Sequence, residues 1–257
     1  MSVQTGQKPT LWQIDISHYS EKVRWALEYK GIDHVRRTPL PGTHIPIALA
    51  MTRGEQMTFP VMRLDGRTIG DSTAIIAALE ARYPETPLYP IDGEERARAL
   101  ELEEWFDEQL GPYTRFLAFH ELINEPEIFT EVASRVVPGP LGRAKPLVGA
   151  YAQVFTSLRW GARDEAAAET AREKIVTALD RLEAELGANG GEFLVGDGFS
   201  VADLTAASLF YPVVLPPEGP TAPDTPQPPA LDRFRESLED HRGFRWVADT
   251  FRHHRHR

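Results

Sequence analysis

The chain contains no cysteine. Disulfides, thiolate metal sites and a catalytic thiol of the protein's own are therefore excluded, and any sulfur chemistry must use sulfur brought by a ligand. No apolar run approaches the roughly 20 residues that a membrane helix needs, and the start "MSVQTGQKPT" lacks the apolar stretch of a signal peptide. A cytoplasmic protein with no membrane partner is the expectation. A phosphate-binding Walker loop and a G-x-G-x-x-G turn after a strand are also absent. So is any basic excess: 28 Lys+Arg stand against 38 Asp+Glu, a net charge of -10. Residues 1–87 hold 10 Lys+Arg and 9 Asp+Glu, which leaves 18 against 29 in residues 88–257. The acidic body argues against a nucleic-acid partner, and the nearly neutral first third is the better place for an anionic small molecule.

What is present is a chain of 257 residues, 42% hydrophobic, long enough for one large domain or two smaller ones. The first third alternates elements. "LWQID" reads as a strand; Tyr19 to Lys30 reads as a helix with Val23, Ala26, Leu27 and Lys30 at three- and four-residue spacing, stopped by Gly31. "HVRR" reads as a short edge strand. A connection rich in Thr, Pro and Gly follows. "FPVMRLDGRTIG" then places Asp65-Gly66 between two apolar runs, a hairpin signature, and "DSTAIIAALEARY" is helical, with Ile75, Ile76, Leu79 and Tyr83 on one face. The order βαβ, connection, ββα predicts a small mixed sheet with helices packed on it.

Pro84 to Gly93 holds three prolines and reads as a connection, beyond which strand signals vanish. The predicted division is residues 1–87, a linker at 88–93, and an all-helical bundle at 94–257. Its helical patterns include a long one from Glu94 to Ile123, a segment ending near Trp160, "EAAAETAREKIVTALDRLEAELG", "SVADLTAASLFYPVV", "ALDRFRESLEDH" and "RWVADTFRHH". Two interruptions, 136–146 and 212–229, the second with eight prolines, read as surface loops or as the border of a substrate pocket. The terminal "HHRH" offers metal-ligand residue types without a folded frame and reads as a disordered end, so no metal site is expected. His18 reads as a surface histidine.

"SHYSEKVRWAL" from Ser17, Phe59-Pro60-Val61 entering a strand, Asp71-Ser72 opening the next helix, and "GDGFSVADLTAASLF" in the helical part together resemble the glutathione transferase superfamily along nearly the whole chain. The first segment is similar to the S-S-C-S-x-R-V-R of zeta-class and related bacterial members. The resemblance implies a thioredoxin-like βαβ-ββα domain followed by a helical bundle, with glutathione as co-substrate and a small electrophile as the second substrate. It also implies a homodimer, built mainly from the helix near Glu94 to Leu110 and the helix after Asp71.

Physical chemistry gives these residues roles that fit. Unpaired N–H groups and partial positive charge at a helix start stabilise a thiolate, and a serine hydroxyl there can donate to it. Ser17 is the first candidate for that donor and Ser20 the second, although Ser17 equally suits a helix N-cap. By resemblance, Pro60 would follow a cis bond and the Phe59 backbone would pair with the bound peptide; a trans proline at a strand start is the plainer alternative. Asp71 suits an ammonium and Ser72 a carboxylate, the two charges of a γ-glutamyl group, and simple capping is again the alternative. Gln56 is the nearest polar candidate upstream of the proline. Tyr19, Tyr113, Phe116, His120 and Trp160 are candidates for the second-substrate pocket, against the usual reading of such aromatics as core. Ser200 and Asp203 read as a capping box that serves folding.

An enzyme that activates glutathione is the leading expectation, with conjugation, dehalogenation and isomerisation all open to it. The zeta-like segment favours isomerisation, but Tyr19 stands where that motif has cysteine. A non-catalytic scaffold of the same fold, or an enzyme using another small thiol, is the alternative.

Overall fold

The computed structural model describes residues 8–40, 42–137 and 139–255. The chain divides into two compact units, Met1–Pro87 and Leu88–Arg257.

The first unit carries β1 (Thr10–Trp12), α1 (His18–Tyr29), β2 (Val35–Arg37), α2 (His44–Thr52), β3 (Val61–Leu64), β4 (Arg67–Gly70) and α3 (Ser72–Arg82). The sheet order is β2-β1-β3-β4. β1 and β2 run parallel, with Leu11 opposite Arg36, because α1 provides the long crossover that a parallel pair requires. β3 pairs antiparallel with both neighbours, Met62 lying opposite Leu11 on one side and Ile69 on the other. Leu11 and Met62 are wholly buried at the centre, while β2 lies at an edge with Arg36 and Arg37 exposed. Asp65 and Gly66 both take positive φ, 48° and 79°, the geometry of the tight hairpin turn expected there. At the far end of α1, Lys30 pairs with Glu80 at 2.7 Å and donates to the carbonyls of Tyr83 and Thr86, locking α1 to the end of α3.

The connection expected between β2 and β3 is instead a helix, α2. Its sequence, "HIPIALAMT", is apolar on nearly every face, so no 3.6-residue period marks it. Pro46 falls in the first turn, where a backbone N–H has no helical partner to lose. Ala48 of α2 packs with Phe59 and Val61 under Trp12 and Ile14.

The second unit contains α4 (Gly93–Gln109), α5 (Gly111–Asn124), α6 (Pro126–Val136), a 3-10 turn at Gly139–Arg143, α7 (Lys145–Trp160), α8 (Glu165–Ala188), α9 (Val201–Val214), α10 (Pro229–Glu236) and α11 (Arg242–His254). The long pattern from Glu94 is two helices, broken at Leu110 because Pro112 begins a new first turn. α9 is buried along its entire length and forms the axis against which α4, α5 and α11 pack. It runs through Pro212 and ends at Leu215, which takes φ 49°. The proline-rich stretch after it carries no helix until Pro229 opens α10.

The carboxy-terminal histidines correct the sequence reading. α11 continues through His254, whose ring stacks on Phe199 at 4.7 Å, and Arg255 is buried. His256 lies outside the described residues. Among the described residues, no helix is long and apolar enough to cross a membrane.

Candidate glutathione site

The loop from β1 to α1 is held from behind. Arg24, buried on α1, donates from Nη2 to the Asp15 carbonyl at 2.8 Å and from Nη1 to Gln13 Oε1 at 3.1 Å, while its Nε pairs with the buried Glu21 at 2.7 Å. The Ile14 N–H donates to Ser20 Oγ at 3.3 Å, and the Ser17 N–H to the Ile14 carbonyl at 3.0 Å. Ser20 is 0% exposed. Its hydroxyl serves the loop, accepting from Ile14 from a buried position.

Ser17 is the open member of the pair. It is the N-cap of α1, and its Oγ accepts from the Ser20 N–H at 3.2 Å. Among the described residues, no acceptor takes the Ser17 hydroxyl proton, so the capping role and a donor role are compatible in one side chain. His18 is not the surface histidine expected: it is 3% exposed, with its ring 4.5 Å from that of Tyr19. Tyr19 itself is half-buried.

The Phe59–Pro60 bond is cis. Phe59 packs in the core with Ala48 and Val61. Among the described residues, no group bonds the Phe59 N–H, and its carbonyl accepts only a long contact from the Thr58 hydroxyl at 3.4 Å.

At the start of α3, Asp71 is exposed and accepts from the Thr73 N–H at 2.7 Å. Its backbone has φ 72° and ψ 140°, a conformation uncommon for any residue but glycine. Ser72 is 4% exposed, and among the described residues its hydroxyl has no partner. A serine hydroxyl that has no protein partner among the described residues, set at the start of a helix, is a suitable feature for a carboxylate. Gln56 joins this corner: its Cγ lies 2.5 Å from where a Cβ on Gly70 would stand, so its side chain lies over the backbone leading into Asp71. Lys22 of α1, unnoticed in the sequence, reaches the same helix start, donating to Thr73 Oγ1 at 3.0 Å. The signal that points to Lys22 and Arg24 is the pair of basic positions in the S-x-R-V-R motif.

The second-unit candidates do not form one group. Tyr113, Phe116 and His120 share a face of α5, with Lys174 5.7 Å from the Tyr113 ring centre and Phe116 stacked on His120 at 6.2 Å. His120 is only 2% exposed. Its Nδ1–H donates to the Ala162 carbonyl at 3.0 Å, and Nε2 lies 3.3 Å from both the Asn124 amide nitrogen and Glu165 Oε2. It is a buried histidine joining α5 to the turn before α8. Trp160 lies elsewhere, stacked on Phe119 and flanked by Arg115 and Arg159, each 4.2 Å from its ring centre.

In the second unit, the sequence-expected capping box is complete. Asp203 Oδ2 accepts from the Ser200 N–H at 2.9 Å and from the Ser200 hydroxyl at 2.7 Å, and its Oδ1 accepts from the Leu194 N–H at 2.8 Å. Burial pushes this carboxyl up to about 6 despite those bonds. Among the described residues, no group of three or more His, Cys, Asp or Glu side chains is placed to hold a metal.

A family model of the glutathione S-transferase N-terminal domain matches residues 11–87, and one of the glutathione S-transferase C-terminal domain matches residues 165–249. The chain is similar to a maleylacetoacetate isomerase of Dictyostelium discoideum, 26% identical over 218 residues and 80% of each chain. Among solved structures it resembles a glutathione S-transferase from Rhodospirillum rubrum F11, with a TM-score of 0.60, 24% identity, and coverage of 95% of this chain and 87% of that one. A maleylacetoacetate isomerase from Anaeromyxobacter dehalogenans 2CP-1 with glutathione bound gives a TM-score of 0.57 at 22% identity, over 94% and 89% of the two chains. The structural likenesses establish a shared fold.

Proposed function

The chain belongs to the glutathione S-transferase superfamily, and we propose that it is an enzyme whose first unit binds glutathione and activates the glutathione thiol toward a small, largely apolar electrophile. The observation that carries this reading is the start of α3, where the Ser72 hydroxyl has no protein partner among the described residues and Asp71 is exposed beside it. A γ-glutamyl carboxylate bonds to the Ser72 hydroxyl at the helix start, and its ammonium pairs with Asp71. The Phe59 N–H and carbonyl bond the peptide backbone, and Gln56 lies close enough to the Asp71 corner to add an amide contact.

The sulfur then meets the start of α1, where the Ser17 hydroxyl donates to the thiolate and the helix dipole favours the negative charge. A bound thiol loses its proton to solvent at lower pH than a free one, and the sulfur attacks an electrophilic carbon. In addition to an activated double bond, the S–C bond forms as the π pair moves to the acceptor group. In displacement, it forms as a leaving group departs with its electron pair. Isomerisation is reversible addition, with rotation about the carbon–carbon bond before the thiolate leaves. The isomerase relatives, similar over four-fifths of the chain, favour this last chemistry, while Tyr19 in the place of the motif's cysteine departs from them. A homodimer is part of the same reading and is checked by light scattering at micromolar concentration.

The test is calorimetric titration with reduced glutathione, with Ser72→Ala alongside. The expected result is saturable binding that weakens about tenfold in the variant, the value of one charge-assisted hydrogen bond. No binding up to millimolar concentration removes glutathione and leaves another thiol or a scaffold role.

A further inference from the structure

Among the described residues, seven large apolar side chains are exposed, and five of them, Leu141, Leu147, Tyr151, Val154 and Leu158, fall in one short stretch of the second unit. Four lie on α7 at spacings of four, three and four residues, which sets them in a single stripe about 16 Å long. The two buried residues of α7 are Gly149 and Thr156, and a Cβ on Gly149 would run into Thr130 of α6. The helix thus meets its neighbour through a small residue and turns large apolar ones to solvent, the reverse of an ordinary surface helix. An apolar patch of this kind marks a contact surface.

Charge narrows the choice of occupant. Residues 132–163 hold Arg135, Arg143, Lys145, Arg159 and Arg163 and no Asp or Glu, in a chain whose net charge is -10. The carboxylates that border this stretch in sequence are engaged: Glu131 pairs with Lys145 and Arg135, Asp164 caps α8, and Glu165 lies beside Arg172 and His120. Arg143, Arg159 and Arg163 are exposed and form no ion pair among the described residues. Basic side chains therefore stand at both ends of the stripe, Arg143 and Lys145 at one and Arg159 and Arg163 at the other.

A second copy fits the stripe by pattern, since a two-fold axis sets Leu147 against Leu158 and Tyr151 against Val154. The same axis brings Arg143 and Lys145 of one copy toward Arg159 and Arg163 of the other, and like charges oppose that pairing. A partner helix needs a groove, whereas Leu147 and Leu158 are 75% and 83% exposed and stand clear of any wall. A soft anionic surface suits both the protruding stripe and its basic ends. Tyr151 within the stripe and Trp160 at its end, flanked by Arg115 and Arg159, are the amphipathic rings that favour headgroup level.

We propose that α7 and the turn before it make a peripheral contact with an anionic lipid surface. The stripe enters the headgroup boundary, and the basic residues at its ends meet the lipid anions. The acidic remainder of the second unit is repelled by the same surface, so this face is the one that approaches it. The face lies outside the stretches 11–87 and 165–249 matched by the family models, and the proposal does not depend on glutathione.

The experiment sediments the full chain with vesicles of phosphatidylcholine alone and of phosphatidylcholine mixed with phosphatidylserine. Binding is expected on the mixed vesicles, little on the neutral ones, with release as salt rises from about 0.1 M to about 1 M. Leu147→Gln with Leu158→Gln, and separately Arg143→Gln with Arg159→Gln, each lower the partition coefficient about tenfold or more. All four residues are exposed, so both variants melt within about 2 °C of the wild type. Because the chain has no cysteine, Val154→Cys carries the only thiol and takes a polarity-sensitive dye at the stripe, with Ala184→Cys on α8 as control. The dye at position 154 shifts to the blue on mixed vesicles, and the dye at position 184 does not. No binding to the mixed vesicles overturns the proposal, as does equal binding to the neutral ones, binding that survives both double variants, or a shift at position 184 alone. Without vesicle binding, self-association that the leucine variants abolish gives the face to a second copy, and saturable binding of polyglutamate gives it to an acidic protein; each overturns the lipid reading.

Discussion

Two helix starts in this molecule use the same residue types for opposite ends. At α9, Ser200 and Asp203 face each other, every oxygen of the carboxylate accepts a bond, and the whole is sealed from water. At α3, Asp71 reaches one N–H, Ser72 is nearly buried without a partner among the described residues, and the backbone is held at an unfavourable φ. A capped helix start should be inert and matter for stability; an open one should matter for ligand and contribute little to folding. The difference lies in whether the N–H groups are satisfied by the chain, a property that composition does not reveal.

The largest effect belongs to the closed start. Asp203→Ala strands the buried Leu194 and Ser200 N–H groups and loosens the entry to the central helix, at a cost of about 3 to 4 kcal/mol in urea unfolding. The same residue gives a pH dependence of definite sign. Its folded value of about 6 lies above the unfolded 3.8, so the folded state holds the proton more tightly. The contribution of Asp203 is fully present below pH ~4 and is lost as pH rises through about 6, a span of about 3 kcal/mol. The stability of wild type relative to Asp203→Asn therefore falls between pH 4 and 6. A difference that rises, or is flat, shows that the three bonds outweigh burial, and that the closed start prefers its charged form.

How far this contrast could be read in advance depends on what each residue needs from the rest of the fold. The Asp65-Gly66 hairpin, the Gly31 stop and the Ser200–Asp203 box are local: each is specified by residues within four positions of one another, and each appears as expected. Helix α2 was hidden because a helix apolar on all faces has no period, and the break at Leu110 because the apolar pattern continues across it. His18, His120, Ser20 and Lys22 are polar residues whose burial is decided by partners far along the chain, such as Ala162 for His120 and Thr73 for Lys22. The second-substrate candidates were the least legible, since an aromatic at helical spacing looks alike in a core and in a pocket wall.

Ser17 lies between the two extremes, being both cap and open donor, and Ser17→Ala separates the roles. Loss of the cap costs about 1 kcal/mol in thermal melting. Loss of the donor raises the pH at which the thiolate absorbance of bound glutathione appears by about one unit, and slows turnover near neutral pH about 10- to 100-fold. Glutathione affinity is expected to stay within about twofold. A variant that loses stability but keeps the thiolate titration makes Ser17 a cap like Ser200, and moves thiol activation to another group.

The smallest effect tests the open start by crowding it. Gly70 has ordinary backbone geometry, so alanine fits there sterically except for Gln56, whose Cγ, Cδ and Nε2 lie 2.5, 3.0 and 3.3 Å from the new Cβ. Gln56 is half-buried on a flexible stem and can swing aside, so Gly70→Ala should cost less than about 1 kcal/mol of stability. The displaced amide no longer reaches the Asp71 corner, and glutathione affinity is expected to fall about threefold. In a Gln56→Ala background the same glycine change should have no further effect on affinity, because the group it displaces is already gone. Equal losses in both backgrounds assign the effect to the backbone entering Asp71, which would place the sensitivity of the open start in its strained turn and leave Gln56 as packing.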